Sequence, residues 1–172
     1  CLHFAAFISV GESMKEPAKY FYNNVFGSFN LLECLKKYKV KNIIFSSTAA
    51  VYGEDQYLPI DEKHPVEPMN TYGETKLMME RMIKWYANAY NINYVIFRYF
   101  NVCGAVEDGK LGYDKQPSEH LIPNVMKGAL GIDKFELTYA TVDTPDGSPI
   151  RDYIDVNDLV DAHFKAFMYL NE

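Results

Sequence analysis

Short apolar segments alternate with long amphipathic segments in the first hundred residues of the chain. The short segments are apolar on successive residues, which is typical of strands in a parallel sheet covered on both faces. The long segments repeat their apolar residues every three or four positions, the period of an α-helix. This order of strand, helix, strand, helix and strand predicts an α/β fold with a doubly wound parallel sheet and right-handed crossovers. The predicted elements are strands at 2–6, 42–46 and 94–97 and helices at 18–38 and 71–90.

The pattern changes after Gly104, where turn-forming residues become frequent. The elements predicted beyond it are a helix at 118–130, strands at 135–139 and 151–154, and a helix at about 156–169. Asp155 is the expected N-cap of that last helix. We therefore divide the sequence into a first domain, residues 1–104, and the beginning of a second, smaller domain, residues 105–172.

Charge and cysteine usage limit the function classes open to the chain. Its 172 residues carry 17 Lys and Arg against 23 Asp and Glu, a net charge of −6, so the basic face of a nucleic-acid binder is not expected. The longest apolar runs, such as 94–97, fall far short of the roughly 20 residues that span a bilayer. Cys1, Cys34 and Cys103 form no CxxC pair, which argues against a metal site and favours the reducing cytoplasm.

The beginning of the sequence predicts that more chain precedes it. Cys1 leads directly into a predicted strand, without an initiating methionine or the charge pattern of a signal peptide. We therefore expect these residues to be the middle of a longer protein.

Tyr72 and Lys76 are the strongest local candidates for chemistry. Side chains four residues apart lie on one face of a helix, and the lysine charge there favours the ionised form of the tyrosine. A phenol has an ordinary pKa of about 10, so it needs such help to act as a base near neutral pH. The spacing alone is weak, because a chain with 14 tyrosines is expected to contain about one such pair by chance.

The strand predicted at 42–46 leads into a run of hydroxyl side chains that ends at Thr48. Ligands of open α/β sheets bind at the carboxyl ends of the strands. Thr48 is therefore a candidate to bind a substrate oxygen and to share its proton with Tyr72. The alternative is structural, with the Thr48 hydroxyl capping a turn at the end of the strand.

Seven motifs follow one another in the order found in the extended short-chain dehydrogenase/reductases. The motifs are His3-Phe4-Ala5-Ala6, Val10-Gly11-Glu12-Ser13, Asn23-Asn24-Val25, residues 46–53, Tyr72-Gly73-Glu74-Thr75-Lys76, Arg98-Tyr99-Phe100-Asn101 and Arg151-Asp152-Tyr153-Ile154. The chain resembles this family over essentially its whole length, and most closely the members that interconvert UDP-glucose and UDP-galactose.

The resemblance implies roles for individual residues. Tyr72 matches the catalytic base, Lys76 the lysine that binds the nicotinamide ribose, and Thr48 the hydroxyl that binds the reacting sugar oxygen. The residues implied in binding the cofactor NAD are Phe4, Ala5, Ala6, Asn23, Ser46, Ser47, Tyr72, Lys76 and Phe100. The residues implied in binding the UDP-sugar are Thr48, Tyr72, Asn101, His120, Leu121 and Arg151.

The resemblance also implies a mechanism and an architecture. The sugar is oxidised at C4 to a 4-keto intermediate and reduced again from the other face, with NAD bound throughout. Residues 1–104 would be the C-terminal half of a Rossmann-like NAD-binding domain, and residues 105–172 the start of a substrate-binding domain. The Gly-rich phosphate loop would lie upstream of Cys1, the fragment alone would be inactive, and the full-length protein would form a homodimer.

Two adjacent residues distinguish between relatives within this family. The sugar-nucleotide dehydratases carry an Asp-Glu pair after the central threonine, where this chain has Ala49 and Ala50. Methyl groups cannot transfer the protons that elimination of water requires, so dehydration is disfavoured. A UDP-uronate epimerase or decarboxylase stays an alternative, as does a nucleotide-sugar-binding relative without catalysis.

Overall fold

The computed structural model describes residues 1–114, 118, 120–136 and 141–172. The chain divides into two compact units, the first formed by residues 1–100 and 162–172 and the second by residues 101–161. The strands are β1 (Leu2–His3), β2 (Asn42–Ser46), β3 (Asn93–Phe97), β4 (Asn101–Cys103) and β5 (Tyr153–Asp155). The helices are α1 (Val10–Lys15), α2 (Pro17–Tyr20), α3 (Gly27–Lys37), α4 (Thr71–Tyr90), α5 (Leu121–Ala129) and α6 (Val156–Tyr169). The domain boundary that the sequence places after residue 104 stays a prediction.

The first unit is built on a parallel sheet in the order β1-β2-β3. The register places Leu2 opposite Ile44 and Asn42 opposite Asn93. Each pair of strands is separated in sequence by helices, so the α/β class and the parallel sheet predicted from the sequence are confirmed. Because the three strands are parallel, their carboxyl ends lie at one edge of the sheet. The residues that follow β1, β2 and β3 are therefore neighbours there.

The hydrophobic core of the first unit lies between β2 and the helices α3 and α4. Ile43 and Phe45 from the strand are fully buried. Met79 and Ile83 from α4 are at most 1% exposed. The core cluster consists of Leu32, Leu35, Ile43, Phe45, Met79, Ile83 and Ile92. Because complete burial of one such side chain contributes roughly 1.5–3 kcal/mol, this cluster fixes α4 firmly against the sheet.

The region before the first long helix differs from its prediction in two ways. The strand predicted at 2–6 is only Leu2–His3; beyond it, the Phe7 N–H donates to the Asn24 side chain and the Phe7 carbonyl accepts from it. Gly11 lies in the short helix α1, which has no counterpart among the predicted elements and whose N-cap Ser9 accepts a hydrogen bond from the Glu12 N–H.

The helix predicted at 18–38 is continuous but not uniform. It consists of α2, a π-helical segment at Phe21–Phe26, and α3. The π-helical segment contains Asn24, which is fully buried and also donates to the Thr75 hydroxyl at 3.1 Å. Such widened turns are frequent at functional sites.

The second unit contains a small parallel sheet formed by β4 and β5. β4 has no counterpart among the predicted elements, and the strand predicted at 151–154 is Tyr153–Asp155. The helix predicted at 118–130 is Leu121–Ala129, and Asp155 caps α6 by accepting from the Asn157 N–H at 2.7 Å. Of the strand predicted at 135–139, residues 135 and 136 are irregular and 137–139 lie outside the described residues.

Candidate active site

Helix α4 begins at the carboxyl edge of the parallel sheet and places Tyr72 in its first turn. Its N-cap Asn70 accepts a hydrogen bond from the Gly73 N–H at 2.8 Å. Gly73 lets the helix approach the backbone of residues 48–51, since a Cβ at this position would lie 2.6 Å from the Ala50 carbonyl oxygen. The close approach brings the start of α4 next to the segment that follows β2.

The three residues predicted to be catalytic come together at this edge. The Thr48 hydroxyl lies beside the Tyr72 phenol and acts to lower its pKa. Lys76 lies one turn after Tyr72, with its Nζ 6.0 Å from the centre of the tyrosine ring and 4.9 Å from that of Phe45. Its ammonium donates to the Ser46 carbonyl at 2.8 Å.

The structure confirms the structural interpretation of Thr48, while its role in binding a substrate oxygen stays a prediction. Its hydroxyl oxygen accepts a hydrogen bond from the Ala50 N–H at 3.2 Å, as a cap of the short 3₁₀ turn Ala49–Val51. The same side chain lies beside Tyr72 and acts to lower the pKa of its phenol. The turn therefore fixes the Thr48 hydroxyl beside the phenol.

Burial has the largest effect on the pKa values of Tyr72 and Lys76. It raises the pKa of Tyr72, an effect opposed by Thr48 and reinforced by Tyr99. Burial also lowers the pKa of Lys76 to about 8, while Glu80 acts in the opposite direction. Desolvation of the phenol has the largest effect in the chain alone, so the lowering of the Tyr72 pKa expected from Lys76 together with a bound cationic cofactor stays a prediction.

Ser46 and Ser47, predicted to contact a cofactor, are both buried and both bonded within the protein. The Ser46 hydroxyl bonds the Tyr99 hydroxyl. The Ser47 hydroxyl donates to the Glu80 carboxylate at 2.5 Å. A contact of either residue with a cofactor stays a prediction.

The other residues predicted to bind the cofactor present accessible surface on the first unit. Phe4 is 54% exposed and packs against the His163 ring, with 5.1 Å between ring centres. Ala5 and Phe100 are also exposed. Asn23 is exposed too, and its amide donates to the Asn24 side chain at 3.0 Å.

The residues predicted to bind the sugar nucleotide, other than Thr48 and Tyr72, belong to the second unit. Asn101 begins β4 and donates through its side chain to the Asp152 carbonyl at 2.9 Å, which places Asn101 next to the segment of Arg151. The Arg151 guanidinium is exposed and donates to the Ile150 carbonyl. His120 and Leu121 form the exposed N-terminus of α5.

A buried ion pair beside the site was not predicted. Glu80 is fully buried and accepts three hydrogen bonds from the Arg98 guanidinium at 2.6–3.2 Å. The available signal was the spacing of Tyr72, Lys76 and Glu80, which repeats every four residues along one face of α4. A groove of about 400 Å³ adjoins the pair and contains none of the predicted site residues; it is lined by Tyr52, Glu62, Glu80, Lys84, Tyr94, Ile96, Phe97 and Arg98.

Features of other functional classes are not found in the described part of the chain. Residues 1–114, 118, 120–136 and 141–172 contain no cluster of three or more potential metal-binding side chains. None of the helices within these ranges combines the length and the apolar character needed to cross a membrane.

The chain is similar to known enzymes over nearly its full length. The UDP-glucose 4-epimerases of Lactobacillus helveticus and Streptococcus mutans are each 48% identical to it, over 98% and 99% of this chain. The structure of UDP-glucose 4-epimerase from Brucella ovis in complex with NAD superimposes with a TM-score of 0.94 at 47% identity, over 99% of this chain and 53% of that one. The enzyme from Bifidobacterium longum in complex with NAD⁺ and UDP gives a TM-score of 0.89 at 43% identity, over 95% and 50%.

The chain spans about half the length of these relatives, 52% for each of the two bacterial sequences. Its sheet has the Rossmann-like arrangement of the solved epimerases. Residues 1–171 match the model of one family. The chain therefore belongs to the NAD dependent epimerase/dehydratase family.

Proposed function

We propose that the full-length protein interconverts UDP-glucose and UDP-galactose, with NAD bound throughout, by oxidising C4 of the sugar to a ketone and reducing it again. The observation that carries the proposal is the grouping of Thr48, Tyr72 and Lys76 at the carboxyl edge of the sheet, with the Lys76 Nζ 6.0 Å from the centre of the Tyr72 ring. The named activity of the relatives at 48% identity supports this choice of substrate.

The chemistry of the donor set fits NAD. An ammonium has three N–H donors, and the bond from Lys76 to the Ser46 carbonyl uses one of them, so donors remain for ribose hydroxyls. Phe4 and Ala5 are exposed at the carboxyl end of β1, where open α/β sheets bind nucleotides. The residues that would hold NAD are Phe4, Ala5, Ala6, Asn23, Ser46, Ser47, Lys76 and Phe100. When bound, NAD supplies the oxidising and reducing power at C4.

Tyr72 is the proposed base for the 4-hydroxyl proton. Its buried phenol has a raised pKa, so it needs positive charge nearby to ionise near neutral pH. Lys76 supplies one such charge, and the oxidised cofactor carries another. The Thr48 hydroxyl would bind the same sugar oxygen and orient it toward Tyr72.

The second unit would bind the UDP part of the substrate through Asn101, His120, Leu121 and Arg151. Arg151 is the proposed partner of a diphosphate oxygen, because its exposed guanidinium is a permanent, fork-shaped donor. In a chain with a net charge of −6, few other cations can take this role.

Elimination of water is not the proposed reaction. Ala49 and Ala50, which follow Thr48, form the short turn Ala49–Val51 and offer only methyl groups there. An additional acid and base, which dehydration requires, would have to come from elsewhere.

The test replaces Tyr72 by Phe in the full-length protein and follows the conversion of UDP-galactose to UDP-glucose. We expect a loss of at least about 100-fold in kcat, as for removal of a general base. Tyr90→Phe, a change of the same kind at the other end of α4, serves as the control and is expected to keep full activity. Unchanged activity of Tyr72→Phe would refute the proposed base. Release of carbon dioxide from UDP-glucuronate would instead assign the protein to the decarboxylating relatives.

The proposal includes a homodimer and a cytoplasmic location. Tyr22, Phe26 and Phe29 form an exposed row of stacked rings on the first long helix, with ring centres 5.4 and 6.3 Å apart. A second copy of the chain would bury this row, together with the 73% exposed Trp85 on α4. The three free cysteines fit a reducing compartment.

A further inference from the structure

Glu80 occupies an unusual position for a carboxylate. It lies one turn beyond Lys76 and two turns beyond Tyr72 on the same face of α4, and it is fully buried. Asp and Glu are almost never fully buried unless they are paired. Among the described residues it is the one buried carboxylate.

Glu80 connects three elements at the edge of the site. Its Oε1 accepts from the Ser47 hydroxyl at 2.5 Å and from Arg98 Nε at 2.9 Å, and its Oε2 accepts from Arg98 at 2.6 Å. Ser47 directly precedes Thr48, and Arg98 directly follows β3. The carboxylate thus joins α4 to the backbone that carries the proposed substrate hydroxyl.

We propose that Glu80 is a positioning residue of this site: its carboxylate fixes Ser47 beside Thr48 and holds Lys76 in the charged ammonium form. This role rests on the proposed function, in which Lys76 must be positive while Tyr72 loses its proton. The Arg98 guanidinium in turn donates a forked pair of hydrogen bonds to the Glu80 carboxylate, at 2.9 and 2.6 Å.

Among the residues that the structure describes, the groups facing Lys76 come from three elements. Tyr72 and Glu80 come from α4, His3 comes from β1, and β2 contributes the Phe45 ring and the Ser46 carbonyl. His3 is neutral above about pH 4, because burial and Lys76 itself lower its pKa to that value. Glu80 is therefore the negative charge that opposes the effect of burial on Lys76.

The experiment measures the titration of Lys76 directly in the full-length protein. The ε-carbon and ζ-nitrogen of lysine are labelled, and the Lys76 NMR signal is assigned by its loss in Lys76→Met. Glu80→Gln removes the negative charge and keeps the shape. We expect the Lys76 titration to move to lower pH by roughly half a unit or more, and the alkaline limit of kcat/KM to move with it.

Arg98→Lys is the matched control, since it breaks the forked hydrogen bonds and keeps both charges. We expect it to lower the unfolding temperature as Glu80→Gln does and to leave the Lys76 titration unchanged. If Glu80 only ties the elements together, neither variant will move the titration, and the proposal is overturned. Equal shifts in the two variants would overturn it as well.

Where Glu80→Gln does not fold, Arg98→Gln takes its place, because it leaves the Glu80 charge without a counter-ion. The Lys76 titration is then expected to move to higher pH, and no movement would refute the proposal. The NMR readout is independent of the reaction. A protein that converts no UDP-sugar would refute the proposed function, while the Lys76 titration would still decide the role of Glu80.

Discussion

Burial acts in the same sense on three titratable side chains around the candidate site. It lowers the pKa of His3 to about 4 and that of Lys76 to about 8, and it raises that of Tyr72. In each case the neutral form is favoured, because a charge loses hydration when it leaves water. A base that must ionise there needs positive charge nearby, which in the proposed function comes from Lys76 and the oxidised cofactor.

His3 gives the folded state a pH dependence of its own. The unfolded chain protonates it near pH 6.5, whereas the folded chain does so only at about pH 4. The unfolded state binds more protons between these values, so the stabilisation is complete above pH 6.5 and is lost as the pH falls toward 4. We expect the free energy of unfolding in urea to decrease from pH 7 to pH 4.5, and to decrease less in His3→Gln. Equal decreases in both proteins would contradict this.

The catalytic candidates could be found from sequence, but their surroundings could not. Tyr72 and Lys76 follow from a helical spacing, and Thr48 from its place after a strand. The bond from Ser47 to Glu80 joins residues 33 positions apart, a contact that no local pattern encodes. The same holds for the direction of the Tyr72 pKa, which depends on burial in the folded chain.

At the scale of elements, the strongest patterns matched the structure best. β2 and α4 have the predicted bounds, 42–46 and 71–90, because β2 is a short run of successive apolar residues and α4 repeats its apolar residues at the helical period. β4 escaped prediction because its three residues are too few to establish a period. The π-helical segment was not predicted either, because Asn24 makes its bonds to Phe7 and Thr75 only in the folded protein.

The packing of α4 against the turn after Thr48 depends on a glycine. In an open helix, Gly→Ala stabilises by up to about 1 kcal/mol. At Gly73 the added methyl would meet the Ala50 carbonyl at 2.6 Å and Pro68 at 3.2 Å, so we expect Gly73→Ala to destabilise by about 1–3 kcal/mol. Gly27→Ala is the control, because nothing lies within 4 Å of a Cβ there. Urea unfolding measures the stability change of each variant. A Gly73→Ala variant that is stabilised, or changed as little as Gly27→Ala, would contradict the packing described.

At the scale of the whole molecule, this chain corresponds to about half of its relatives. It contributes the parallel sheet with the proposed base in one compact unit and the proposed UDP-binding residues in another. The proposed reaction is therefore assigned to the full-length protein.

The exposed aromatic row on the first long helix makes the oligomeric state testable. Phe26 lies at its centre, between Tyr22 and Phe29, and is 47% exposed. A charge placed there would have to be desolvated in an interface, so we expect Phe26→Glu to shift the full-length protein from dimer to monomer in sedimentation velocity. Tyr38→Glu, at a 70% exposed position after α3, should leave the dimer intact. A wild-type protein that sediments as a monomer would refute the proposed interface.

The central claim is that the hydrogen that leaves C4 when the sugar is oxidised is the one that returns to C4 when the ketone is reduced. A hydrogen that leaves carbon with its electrons does not exchange with water, unlike the hydroxyl proton that Tyr72 is proposed to take. The most direct measurement supplies the full-length protein with UDP-galactose deuterated at C4 in ordinary water and analyses the UDP-glucose formed. We expect conversion with the deuterium retained at C4. Replacement of the deuterium by solvent hydrogen, or no conversion at all, would contradict the claim.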